Sequence, residues 1–70
     1  MTYQELLDMI RNKEYWRLKE ELELLNEADI AEYVDELNTV DTLLVFRLLS
    51  KEKAALVFAE FSRATQNEIA

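Results

Sequence analysis

The chain has 70 residues, 15 of them acidic and 8 basic, for a formal charge of −7, and it contains no Cys, His, Gly or Pro. These absences remove thiolate and imidazole chemistry and the glycine-rich loops that cradle phosphates, so an enzyme is not expected. The negative field disfavours nucleic acid and anionic membrane surfaces, and no apolar stretch reaches the roughly 18–20 residues that span a bilayer.

A chain this short forms one domain at most and buries only about 60% of the surface its unfolded form exposes, which leaves a small stability margin. The start, Met1-Thr2-Tyr3-Gln4-Glu5, lacks the basic opening of a signal peptide, and a soluble, cytosolic chain is expected.

Residues 2–12 read as a first helix. Thr2 can cap it, Glu5 completes a capping box, and Tyr3, Leu6, Leu7 and Ile10 form its apolar stripe. Residues 13–25 read as a second, with Tyr15, Leu18, Leu22 and Leu25 on one face and Lys19 packing its stem between them. Asn12 either separates the two or lies inside one continuous helix. Trp16 lies off the stripe and is expected to be a half-buried packing residue, with a binding platform as the alternative.

Asn26 caps a third helix, residues 27–37, with Glu27 and Asp29 in its first turn, where the helix dipole favours negative charge. Ile30, Tyr33, Val34 and Leu37 form its stripe. Asn38 is a candidate left-handed residue at its end, in place of the missing Gly.

Thr39 then caps a fourth helix, residues 40–49. Its segment Thr42-Leu43-Leu44-Val45-Phe46-Arg47-Leu48-Leu49 is the most apolar run in the chain. At 100° per residue it leaves no wide polar face, so it is expected to be covered on most sides, with the other helices laid against it. A strand reading fails because the flanks are helical in pattern and no second strand is available.

Ser50 caps a fifth helix, residues 51–61, with the stripe Ala54, Ala55, Val57, Phe58 and Phe61. Residues 62–64 read as a turn, and Thr65 opens a short sixth helix, residues 66–70. A helix that short is not stable alone, so the chain is expected to be the first part of a longer helical domain.

The segment Asp29-Ile30-Ala31-x-x-Val34-x-Glu36-Leu37 matches Lys53-Ala54-Ala55-x-x-Phe58-x-Glu60-Phe61 at an offset of 24. Repeated short helices with polar links point to an all-α, solenoid-like array of five helices and a C-terminal stub, with an irregular bundle as the alternative. An array that stops between repeats leaves apolar side chains uncovered. Leu56, Val57, Phe61, Val45 and Leu49 are therefore expected at an interface, with a homodimer built on residues 45–69.

The stretch from Ala28-Asp29-Ile30-Ala31 through Glu36-Leu37, then Leu44-x-Phe46-Arg47-Leu48-Leu49-Ser50-x-Glu52-Lys53-Ala54-Ala55-x-Val57-Phe58, resembles the cytosolic N-terminal domain of the MgtE family of magnesium transporters and channels. The likeness covers about residues 14–62 and rests on helical packing signatures. A flagellar switch protein, FliG, has a similar helical array, so a structural protein–protein interaction module is the second reading.

The MgtE resemblance implies a right-handed superhelix at the cytoplasmic face of the membrane. In that family the domain precedes a pair of CBS domains and a membrane pore. It helps sense intracellular Mg²⁺ at acidic interfaces and gate the pore. The CBS domains and pore are then the expected partners.

Mg²⁺ takes oxygen ligands in an octahedron and keeps several waters. Asp29, Glu32 and Glu36, at i, i+3 and i+7, share one helix face and are the candidate ligands. The ordinary reading of the same residues is the solvated side of an amphipathic helix, and it applies still more to Glu20, Glu21 and Glu23. Binding by this face alone is expected to be weak. Many family members carry Glu directly after Lys-Ala-Ala; here Leu56 stands there, and an aliphatic group cannot ligate Mg²⁺.

Overall fold

The computed structural model describes residues 1–61, and these form five α-helices: α1 (Tyr3–Arg11), α2 (Tyr15–Leu24), α3 (Glu27–Glu36), α4 (Thr39–Leu48) and α5 (Lys51–Ala59). The fold is all-α, as the sequence pattern requires. The expected turn at residues 62–64 and sixth helix at 66–70 lie outside the described residues.

Four of the five helices start on a side-chain cap. Thr2 Oγ1 accepts the Glu5 N–H, and Asn26 Oδ1 accepts that of Ala28. Asn38 Oδ1 accepts the Asp41 N–H, and Ser50 Oγ that of Lys53. Each such bond satisfies one orphan donor and is worth about 1 kcal/mol. The expected capping box is half formed: Glu5 receives the Thr2 hydroxyl, at 3.3 Å, rather than its backbone N–H.

Asn38 is not left-handed. It holds φ −71°, ψ 169° and is itself the cap, so Thr39 is the first helical residue of α4. The left-handed residue is Lys13, at φ 57°. It separates α1 from α2 and rules out a continuous helix. The Glu14 N–H reaches Met9 O and the Lys13 N–H reaches Ile10 O, the paired bonds that close a helix when the residue after its cap turns left-handed. Glycine normally fills this position; lysine does so here at a cost of about 1 kcal/mol.

The remaining connections are alike. α2, α3 and α4 each end on an extended leucine, Leu25, Leu37 and Leu49, followed at once by the next cap, Asn26, Asn38 or Ser50. The pattern repeats every 12 residues, so the 24-residue likeness of α3 to α5 spans two such units. Two extended residues reverse the chain, which is how it does without Gly or Pro. Each leucine turns inward: Leu49 is buried, and Leu25 and Leu37 pack on the core.

α1 packs on α2, α2 on α4, and α3 on α5. The core comprises Leu6, Met9, Leu18, Leu22, Ile30, Ala31, Val34, Val45, Leu49, Val57 and Phe61. Tyr3 and Tyr33 stack at 6.2 Å and tie α1 to α3, while Phe61 meets Phe46 edge-on at 5.5 Å.

Three expectations are corrected here. α4 is not enclosed on all sides: it buries Thr42 and Val45, with Leu49 buried just past its end, and leaves Val40 and Leu43 exposed. Among the described residues α2 is its principal packing helix and Phe61 meets Phe46, and these contacts cover one side of it. Trp16 is 81% exposed rather than half-buried. Val45, Leu49, Val57 and Phe61, expected at an interface, are all buried within their own chain; of the five interface candidates only Leu56 is exposed. The five helices cover these four side chains because the two-residue links fold α5 back onto α3.

Candidate functional site

α3 is amphipathic by composition, and its neighbours decide which side faces water. Ile30, Ala31 and Val34 turn into the core; Asp29, Glu32, Asp35 and Glu36 are exposed. The helix is held at both ends. The Asn26 cap fixes its start, and the Tyr3 hydroxyl donates to the Glu36 carbonyl at 3.2 Å, satisfying one of the last-turn acceptors. Tyr33, from the same helix, donates to the Met1 carbonyl. The acidic face is therefore a fixed platform.

Asp29, Glu32 and Glu36 lie along that platform but do not converge. Among the described residues no three acidic side chains come together in a way that could hold a metal ion. Such a face can offer Mg²⁺ one or two direct carboxylate oxygens, or contacts through its bound waters. The remaining ligands would have to come from outside the described residues.

Glu20 and Glu23 are exposed and Glu21 is partly buried. Glu23 has a structural task that charge pattern alone does not reveal. Its carboxylate accepts the Ser50 N–H at 3.2 Å, and its carbonyl accepts from Lys53 Nζ at 2.8 Å. A carboxylate thus sits at the start of α5 and an ammonium at the end of α2, both on the favourable ends of the helix dipoles. The outer face of α5 presents Leu56, 54% exposed, with Ala55 and Ala59 and with Glu52 and Glu60 one turn away on either side.

A second surface was not anticipated from the sequence. Ile10, Tyr15, Val40, Asp41, Leu43, Leu44 and Arg47 line a groove of about 500 Å³. Tyr15, Trp16, Lys19 and Leu48 line an adjoining one of about 170 Å³, and Tyr15 belongs to both. The signal for it was present in two places: a tryptophan off the stripe of α2, and a helix α4 with more apolar residues than one buried face can absorb.

No described helix is long and apolar enough to cross a membrane. No curated protein and no solved structure matches the chain. The sequence profile described as MgtE intracellular N domain matches residues 25–70, which takes in α3, α4 and α5 with their caps and the acidic platform. A match over well over half of the sequence, on the helices that carry the resemblance, shows the family: the chain belongs to the MgtE intracellular N domains, part of the intracellular region of magnesium transporters.

Proposed function

We propose that this chain is a regulatory module that helps its transporter respond to intracellular Mg²⁺, gating the pore through contacts with CBS domains of the same protein. The observation that carries this reading is the fixed acidic face of α3, in a chain of net charge −7 that belongs to the MgtE N-domain family. Asp29, Glu32 and Glu36 supply part of a Mg²⁺ shell, and a facing domain supplies the rest. Mg²⁺ then links the two domains because neither has enough ligands alone. At low Mg²⁺ the unscreened carboxylates repel an acidic partner and the domains separate. Leu56 removes one carboxylate from the α5 face, so the α3 platform carries the response.

The test is a Mg²⁺ titration of the isolated chain followed by amide NMR, in the wild type and in the triple variant Asp29→Asn, Glu32→Gln, Glu36→Gln. Weak, millimolar shifts confined to α3 in the wild type and absent in the variant are expected. Tight, stoichiometric binding by the chain alone would overturn the shared-shell reading. Shifts unchanged by the triple variant would show that other carboxylates act.

A further inference from the structure

The groove between α2 and α4 has the composition of a protein-binding site on a chain whose other faces are acidic. Trp16 and Val40 are 81% and 75% exposed, with Tyr15 and Leu43 beside them. Val40, Leu43 and Arg47, at i, i+3 and i+7, share one face of α4, and Tyr15, Trp16 and Lys19 come from α2. Aromatic residues and arginine in partly enclosed apolar surroundings are the usual anchors of interfaces.

The charge lining the groove is opposite in sign to that of the chain. Lys19 and Arg47 line the groove; Arg11, Lys13 and Arg17 lie on the same stretch of chain but outside its lining, and Glu20 and Glu21 follow Lys19 directly. Arg17 pairs with Glu14 at 3.6 Å. Lys19 and Arg47, which flank the apolar floor, meet no carboxylate among the described residues. Among the described residues Asp41 is the lone acidic one lining either part.

We infer that this groove docks an acidic amphipathic helix of a protein partner, its apolar stripe on Tyr15, Trp16, Leu43 and Leu48 and its flanking carboxylates on Lys19 and Arg47. The floor favours such a helix because it accepts apolar side chains at helical spacing, and the two cations select the sign of the flanks. An extended anionic surface such as a lipid bilayer or nucleic acid would meet the repulsion of the whole −7 chain, whereas a single helix meets mainly the local cations. This inference is independent of Mg²⁺ and does not rest on the acidic platform of α3.

Trp16 is the sole tryptophan, so its emission reports docking directly. The probe is a synthetic amphipathic helix of about five turns, with leucine at i, i+3, i+4 and i+7 and glutamate beside them. Its control replaces every glutamate with lysine. The glutamate peptide is expected to shift the Trp16 emission to the blue, saturably and with affinity that falls as salt rises. Lys19→Glu with Arg47→Glu should weaken it by about tenfold or more while the circular dichroism stays unchanged. If that double variant loses its fold, Lys19→Gln and Arg47→Gln, made singly, carry the same test.

Equal binding of both peptides would overturn the inference, and so would no shift with either. A shift produced by phosphatidylglycerol vesicles but not by the peptide would assign the groove to a lipid surface instead. A concentration-dependent shift of the chain alone, removed by Val40→Ser, would assign it to a second copy. The assay contains no Mg²⁺, so its failure would leave the role of the acidic α3 face in the Mg²⁺ response standing.

Discussion

α2–α3 and α4–α5 are two copies of one unit, yet they bury different positions. Shifting α2 by 24 residues gives Thr39–Leu48, the bounds of α4, and shifting the Asn26 cap gives the Ser50 cap. Ala31 and Ala55 are equivalent; the first is 4% exposed, and the second is an exposed residue. Leu22 is buried while its equivalent Phe46 is only partly so. The deepest side chains of the second pair, Val45 and Val57, stand where Glu21 and Tyr33 stand in the first, one residue before Leu22 and Val34. The buried stripe is thus turned by about 100° around the helix axis. The difference goes with the neighbours: α2 is packed by both α1 and α4 and α3 meets α1 through the Tyr3–Tyr33 stack as well as packing on α5, whereas α1 makes no comparable contact with α4 or α5 among the described residues. Repetition of sequence sets where helices begin and end; the count of neighbours sets which face goes dark.

The comparison breaks most visibly if the same charge is placed at both alanines. Ala31→Glu buries an unpaired carboxylate and should cost several kcal/mol, enough to unfold most of the chain at 25 °C. Ala55→Glu should stay within about 0.5 kcal/mol of the wild type. Urea melts followed by circular dichroism measure both, and similar midpoints for the two variants would show that the pairs are not differently covered.

A smaller contrast comes from Leu22 and Phe46. Leu22→Ala should cost about 2–5 kcal/mol, as for a fully buried leucine. Phe46→Ala removes a larger side chain but should cost only about 2 kcal/mol, because part of its surface is already in water and its main loss is the edge-on contact with Phe61. If the phenylalanine variant proves the less stable, α4 is more enclosed than its exposed face shows.

The smallest effect sharpens how the two pairs are joined. Glu23 is the residue of the first pair that caps the second, so Glu23→Ala should cost about 1 kcal/mol. Amide hydrogen exchange should place the loss at Ser50 and the first turn of α5, with α1 unaffected. Uniform faster exchange across all helices would mean that α5 does not open separately from the rest.

Much of the fold was legible in the sequence, and the reasons are local. Thr2, Asn26 and Ser50 announce helix starts because a short polar side chain can satisfy a nearby backbone donor without any tertiary partner. Ile30 and Val34 announce the inner face of α3 because their spacing matches the helical period. Lys13 was not legible: its positive φ is imposed by the turn between α1 and α2, and lysine carries no preference for it. Asn38 was misplaced as a chain reversal because asparagine serves equally as a left-handed residue and as a cap, and only the preceding extended Leu37 decides between them.

Of the candidate site, the acidic face of α3 was readable from periodicity, since four carboxylates on one side of an amphipathic helix must face water. The exposure of Leu56 followed the same way. The groove at Tyr15, Trp16 and Arg47 was readable only as two separate signals, an off-stripe tryptophan and a surplus of apolar residues on α4; that they meet was not, because its two walls are separated by more than twenty residues of sequence.

By itself, then, the sequence determined an acidic, all-helical chain with capped helices in repeating units, since composition, period and caps act within a few residues of one another. The tertiary structure alone decided that Val45, Val57 and Phe61 are core while Trp16 and Val40 are surface. An apolar side chain gains the same free energy from any neighbour that excludes water, and which neighbour does so depends on how the two-residue links aim each helix at the next.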